Sequence, residues 1–173
     1  ERASCLVGSE MCIRDSNWWL SPYGISKKVN EETAMQNQVA LRFTTVYGEG
    51  ARDTMLIGRL ISGTVKYLTR HIRDFVHVSD VVDAIVLLMM SDIRLLKPAY
   101  DIGTGVGNSV EELGYIAGWE GIEVTDGDAC EAQDNTADIT AISELGWVPK
   151  VKVDEYLSLI HIRRCRRVVL CCC

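Results

Sequence analysis

The sequence predicts an α/β domain built around a parallel sheet. Short apolar, β-branched runs alternate with helix-like segments along most of the chain, the pattern of strand–helix–strand units. Capping and turn residues stand at the junctions between them. Of 173 residues, 47% are hydrophobic, and the central stretch of about 140 residues is long enough to bury a domain-sized core or a large piece of one.

Ser21 is placed to cap a helix that begins at Pro22, where the missing N–H costs nothing, and that continues to about Asn37. Val39 to Val46 reads as a strand ending in the glycine turn Tyr47-Gly48-Glu49-Gly50. A helix follows from about Met55 to Ile61, then short extended pieces at Lys66–Tyr67 and Asp74–Val78. Ser79 is the expected cap of a strongly apolar helix over Val81–Met90. Ala99–Ile102 reads as a buried strand, Val110–Ala117 as a helix, Ile122–Val124 as a strand and Thr140–Leu145 as a helix stopped by Gly146.

The two ends read as foreign to this domain. Met11-Cys12-Ile13-Arg14-Asp15-Ser16 can be encoded by DNA whose opposite strand encodes Leu-Ser-Leu-Ile-His followed by a codon compatible with Ile, and that peptide stands at Leu157–Ile162. An inverted repeat flanking a reading frame is what sequencing-library adapters leave when translated. Residues 1–16 and 157–173 are therefore expected to be adapter-derived, and residues 17–156 to be part of a domain whose amino-terminal cofactor-loop half is missing.

Six of the seven cysteines lie in those ends, leaving Cys130, so neither a disulfide framework nor a zinc site has a basis. The ends also hold six of the 18 Lys/Arg and three of the 24 Asp/Glu. The central stretch thus carries 12 basic and 21 acidic side chains, a net charge near −9. That balance argues against a nucleic-acid partner. The longest apolar run, Ala84–Met90, is too short to span a bilayer. With one cysteine and no secretion pattern, the cytoplasm is the expected compartment.

Tyr23 and Lys27 are four residues apart on the first predicted helix and so share a face. A free phenol, with a pKa near ~10, is a poor base at neutral pH. An ammonium beside it favours the phenolate and makes proton transfer to or from a hydroxyl feasible. Such pairs are also common on helix surfaces, so the spacing alone does not define a site. Arg73 offers the planar fork that suits a diphosphate, its rival role being an ion pair with Asp74 or Asp80. Asp74 and Asp80 read as structural caps, and His77 as a core or surface histidine. Gly103-Thr104-Gly105-Val106-Gly107, with Glu123 further on, imitates a dinucleotide fingerprint, but Asn108 replaces its last glycine; a tight structural turn is the better reading.

Five segments in order carry a resemblance. They are Ser21-Pro22-Tyr23-Gly24-Ile25-Ser26-Lys27-Lys28-Val29-Asn30-Glu31-Glu32, Leu41-Arg42-Phe43-Thr44-Thr45-Val46-Tyr47-Gly48, Arg73-Asp74-Phe75-Val76-His77-Val78-Ser79-Asp80-Val81-Val82, Tyr100-Asp101-Ile102-Gly103-Thr104-Gly105, and Ala137-Asp138-Ile139 with Glu144-Leu145-Gly146-Trp147-Val148-Pro149. Together they resemble the extended short-chain dehydrogenase/reductase family of NAD-dependent nucleotide-sugar epimerases and dehydratases. The resemblance implies the C-terminal part of a Rossmann-type doubly wound parallel sheet plus the small substrate-binding region. It also implies NAD as cofactor, with NADP as the alternative, a nucleoside diphosphate sugar as substrate and a homodimeric parent protein. By it Tyr23 is the acid/base and Lys27 holds the nicotinamide ribose. Arg73 meets the substrate phosphates, and Thr45 stands where the family usually places a substrate-contacting asparagine.

The implied reaction removes a hydride from a sugar ring carbon, C4 by expectation, and returns it to the other face. A 4,6-dehydratase is the alternative within the family; it needs an acidic residue next to the tyrosine, where Pro22 stands. An inactive cofactor-binding sensor, or a fragment without function, is the alternative of another class.

Overall fold

The run Val39–Val46, expected as one strand, is two strands in two different sheets. The computed structural model describes residues 4–10, 22–33, 38–127 and 133–159. Strand β2 (Gln38–Phe43) pairs in parallel with β6 (Ala99–Ile102), Leu41 opposite Tyr100 and Phe43 opposite Ile102. Thr44 makes the last bond to that sheet, its N–H donating to the Ile102 carbonyl at 3.1 Å. The chain then continues as β3 (Thr45–Tyr47), which pairs in parallel with β5 (Ile72–His77), Thr45 opposite Phe75 and Tyr47 opposite His77. The switch occurs because β6 ends at Ile102, so beyond Thr44 the backbone must find its partner elsewhere.

Strand β1 (Ser4–Glu10) lies in parallel against the other edge of β2. It belongs to the segment that reads as adapter-derived. Ladder bonds use backbone groups that every non-proline residue carries, so pairing asks little of sequence. A small third sheet joins β4 (Tyr67–Thr69) to β8 (Glu123–Thr125), also in parallel. The antiparallel exception is β7 (Gly107–Ser109), which pairs with β5 so that Arg73 faces Asn108 and Asp74 faces Gly107. Its residues are poor strand formers, and its sequence gave no strand signal.

Helix α1 (Pro22–Glu32) falls within the predicted span; Ser21 and residues 34–37 lie outside the described residues. Helix α2 covers Leu56–Ser62. Helix α3 (Val78–Met90) starts three residues earlier than predicted, and its cap is His77 rather than Ser79. The ring Nδ1 of His77 accepts the Ser79 backbone N–H at 3.3 Å and lies 2.7 Å from the Ser79 hydroxyl. An imidazole nitrogen with a free lone pair does here what a short polar side chain usually does. Helix α4 (Val110–Ile116) is capped by Ser109, and α5 is the short Thr140–Ser143. A last helix, α6, occupies residues 153–159, where Val153 and Leu157 are buried one turn apart.

Among the described residues, two clusters form the core. Val39, Leu41, Val76, Val81, Ala84, Leu88, Tyr100, Ile102, Ile142 and Trp147 pack α3 and α5 against β2 and β6. Tyr47, Ile57, Leu60, Leu68, Phe75, Val110, Leu113, Val153 and Leu157 join α2, α4 and α6 to β3, β4 and β5. Helices pack on sheets that are parallel but for β7, the α/β arrangement predicted. No helix among the described residues is long and apolar enough to cross a membrane.

Candidate active site

Tyr23 and Lys27 both belong to α1, so the four-residue spacing corresponds to one helical turn. The Lys27 side chain is half-buried. Glu31, one turn further along, ties the helix to the sheet. Its two carboxylate oxygens accept the fork of Arg42 on β2, Nε to Oε2 at 3.0 Å and Nη2 to Oε1. The remaining Arg42 nitrogen, Nη1, donates to Asp101 Oδ1 on β6 at 3.3 Å. Hydrogen bonding to Glu31, with the nearby charges of Glu31 and Asp101, holds the guanidinium pKa above its ordinary value against the effect of burial.

Thr45 and Arg73 share a second locus. In the parallel ladder Thr45 is opposite Phe75, and Arg73 precedes Phe75 by two residues; the pleat therefore places Thr45, Arg73, Phe75, Tyr47 and His77 on one face. Both Thr45 and Arg73 are half-buried. One guanidinium nitrogen of Arg73, Nη1, donates to the Ile72 carbonyl at 3.0 Å. Further along the same face the rings of Tyr47, His77 and Tyr156 meet edge-on or tilted, with centroids 5.2 to 5.6 Å apart. The Tyr47 hydroxyl donates to the Val151 carbonyl at 3.3 Å, and burial, reinforced by the charge of Asp80, raises its pKa. Gly48 has φ +128°, and a Cβ there would stand 2.8 Å from His77 Nε2, so the turn after β3 closes over the imidazole only with glycine.

The structure brings Thr45 and Arg73 together on one sheet face, and Tyr23 and Lys27 together on one helix. The two groups are joined through β2 and β3, which are consecutive across Thr44.

The neighbouring carboxylates are engaged elsewhere. Asp74 is fully buried and accepts from Thr104 N, Thr104 Oγ1, Gly105 N and Ala137 N at 2.6 to 3.2 Å. Asp80, also buried, accepts from Lys150 N and Val151 N, both at 3.0 Å. Both are structural, as predicted, and each holds a turn far away in sequence. The same bonds bear on the Gly103–Gly107 loop. A phosphate cradle presents unpartnered backbone N–H groups, whereas those of Thr104 and Gly105 already donate to Asp74. A Cβ at Gly103 would come within 2.5 Å of both Ala137 Cβ and Asp74 Oδ2, which makes this a packed turn.

Two roles were not read from the sequence: the Arg42 clamp and the His77 cap. Glu31 continues the Tyr23, Lys27 spacing and could have been noticed. Nothing local marks Arg42 as its partner.

Comparison with known proteins agrees with this architecture. A solved structure of MoeE5 in complex with UDP-glucose and NAD is 32% identical, covering 87% of this chain and 57% of that one with a TM-score of 0.68. MoeE5 with UDP-glucuronic acid and NAD is similar at 30% identity, 84% and 56% coverage and a TM-score of 0.66. The UDP-glucose 4-epimerase of Thermotoga maritima, with UDP-glucose, is 27% identical over 86% of this chain and 54% of that one, with a TM-score of 0.64. The chain thus spans a little over half the length of these proteins. No curated protein sequence matches it significantly. The model of the NAD dependent epimerase/dehydratase family matches residues 11–103, more than half of the chain, and the chain belongs to that family.

Proposed function

We propose that this chain is the C-terminal part of an NAD-dependent nucleotide-sugar epimerase that removes a hydride from C4 of the sugar and returns it to the opposite face. The observation that carries the reading is the placement of Tyr23 and Lys27 one turn apart on a single helix tied down at Glu31. NAD, when bound, accepts and returns the hydride. Lys27 would hold the nicotinamide ribose, and the Tyr23 phenol would take and return the proton of the sugar hydroxyl. The residues here suit the nicotinamide end of the cofactor. The 103–105 turn does not suit its phosphates, because its amides are occupied by Asp74.

Thr45 and Arg73, sharing a sheet face, are assigned to the substrate, a nucleoside diphosphate sugar. The UDP-sugars in the similar structures support this class. Residues 17–156 are read as the working part of the domain, without chemistry from either end.

The test is turnover in a protein completed with the cofactor-binding half. Tyr23→Phe should lower it by about two to four orders of magnitude while leaving nucleotide-sugar binding nearly intact. Unchanged turnover removes Tyr23 from the mechanism. A 4-keto-6-deoxy product in place of the 4-epimer would establish a dehydratase.

A further inference from the structure

We propose that Arg42 is a positioning residue that engages Glu31 and so keeps its carboxylate from offsetting the charge of Lys27, one turn from Tyr23 on the same helix. The inference rests on the Tyr23–Lys27 reading above and adds a residue to it. Glu31 lies four residues after Lys27 on α1, the spacing at which a lysine and a glutamate pair on a helix surface. The adjacent register shows such a pair: Lys28 and Glu32 meet at 3.5 Å. Glu31 does not follow suit, because both its oxygens are taken by the Arg42 guanidinium from the neighbouring strand.

The arrangement is built for that task. A planar fork matches a carboxylate in two parallel bonds and is always charged, so it outcompetes a single ammonium for the same acceptor. Glu31 and Arg42 retain only 22% and 26% of their side-chain exposure, which limits solvent screening of the pair. Asp101, at 7% exposure, holds the third guanidinium nitrogen and orients the fork from the β6 side. Arg42 thus reads two carboxylates, one on the helix and one on the sheet. Losing it would leave the Glu31 carboxylate within one turn of Lys27, where it would offset the positive charge that lowers the phenol pKa.

The experiment is the titration of the Tyr23 phenol in the chain itself, followed by NMR with ¹³Cζ-tyrosine and assigned with Tyr23→Phe. Asp101→Asn is carried in the reference and in every variant, so that no buried carboxylate is stranded. Lys27→Met should raise the Tyr23 midpoint, and Arg42→Gln should raise it by about half a unit to one unit. Adding Glu31→Gln to Arg42→Gln should restore it, since the competing carboxylate is then gone. A clamp that acted only through folding would predict no such rescue.

Arg42→Lys, which keeps the charge without the fork, is the milder variant should Arg42→Gln not fold; it should give an intermediate midpoint, with rescue by the same Glu31→Gln. A midpoint unmoved in whichever Arg42 variant folds, or one not rescued by Glu31→Gln, overturns the role of Arg42 while leaving the Tyr23–Lys27 reading intact. A midpoint insensitive to Lys27→Met overturns that reading and this proposal together.

Discussion

Asp74 and Thr104, thirty residues apart, are joined by both the backbone N–H and the hydroxyl of the threonine, at 2.8 and 2.6 Å from one carboxylate oxygen. With Gly105 and Ala137 also donating to the other oxygen, this buried carboxylate holds the turn after β6 and the segment before α5 in one place. Arg73 precedes it on β5 and points to the opposite face of the strand. Holding Asp74 therefore also fixes the strand that presents Arg73.

Asp74→Ala should destabilise the fold by at least about 3 kcal/mol, because the buried N–H of Ala137 and the part-buried donors of Thr104 and Gly105 lose a charged acceptor together. Asp74→Asn should cost less, as the amide oxygen still accepts, although its NH2 faces donors. Urea unfolding of both variants checks the order; a loss below about 1 kcal/mol for Asp74→Ala would show that other contacts hold the turn. Gly103→Ala should be destabilising at the same place, since its Cβ meets Ala137 and Asp74 at 2.5 Å.

His77→Ala should lower stability by about 1 kcal/mol through loss of the α3 cap, and further through loss of the ring contacts with Tyr47 and Tyr156. His77→Asn keeps a capping acceptor without the ring. It should recover the cap's share only, and thermal melts of the three proteins separate the two contributions. An Asn variant no more stable than Ala would assign the whole effect to the rings.

Tyr47 makes a prediction for alkaline pH. Burial raises its pKa above the unfolded value near ~10, so between the two values the native state binds a proton that the unfolded state has lost. The contribution is fully present below pH ~10 and falls away as pH rises toward the folded value. Wild-type melting temperature should therefore fall more steeply above that point than that of Tyr47→Phe, with the curves running parallel at neutral pH.

Arg73→Ala in the completed protein should raise the Michaelis constant by roughly ten- to a hundredfold with a smaller effect on turnover, as expected for a charge-assisted contact made equally in ground and transition states. Arg73→Lys should recover only part, because a point charge does not reproduce the two-pronged geometry. A lowered melting temperature with an unchanged Michaelis constant would mark Arg73 as structural.

The sequence by itself determined what depends on neighbours a few residues away. The spacing of Tyr23 and Lys27 follows from helical period, Pro22 and Ala99–Ile102 mark element boundaries that the structure keeps, and ordered motifs along the chain resemble the family whose model matches residues 11–103. Tertiary structure decided what depends on chain segments meeting across tens of residues. Thr44 changes sheets because β6 runs out, the 103–105 turn is a structural knot because Asp74 fills its amides, and Glu31 meets Arg42 because the fold brings α1 within reach of the Arg42 side chain on β2. None of these follows from periodicity. A carboxylate carries no local sign of which donor it will meet, and a strand carries none of where its partner ends; register and burial, which exist only in the folded chain, make both choices.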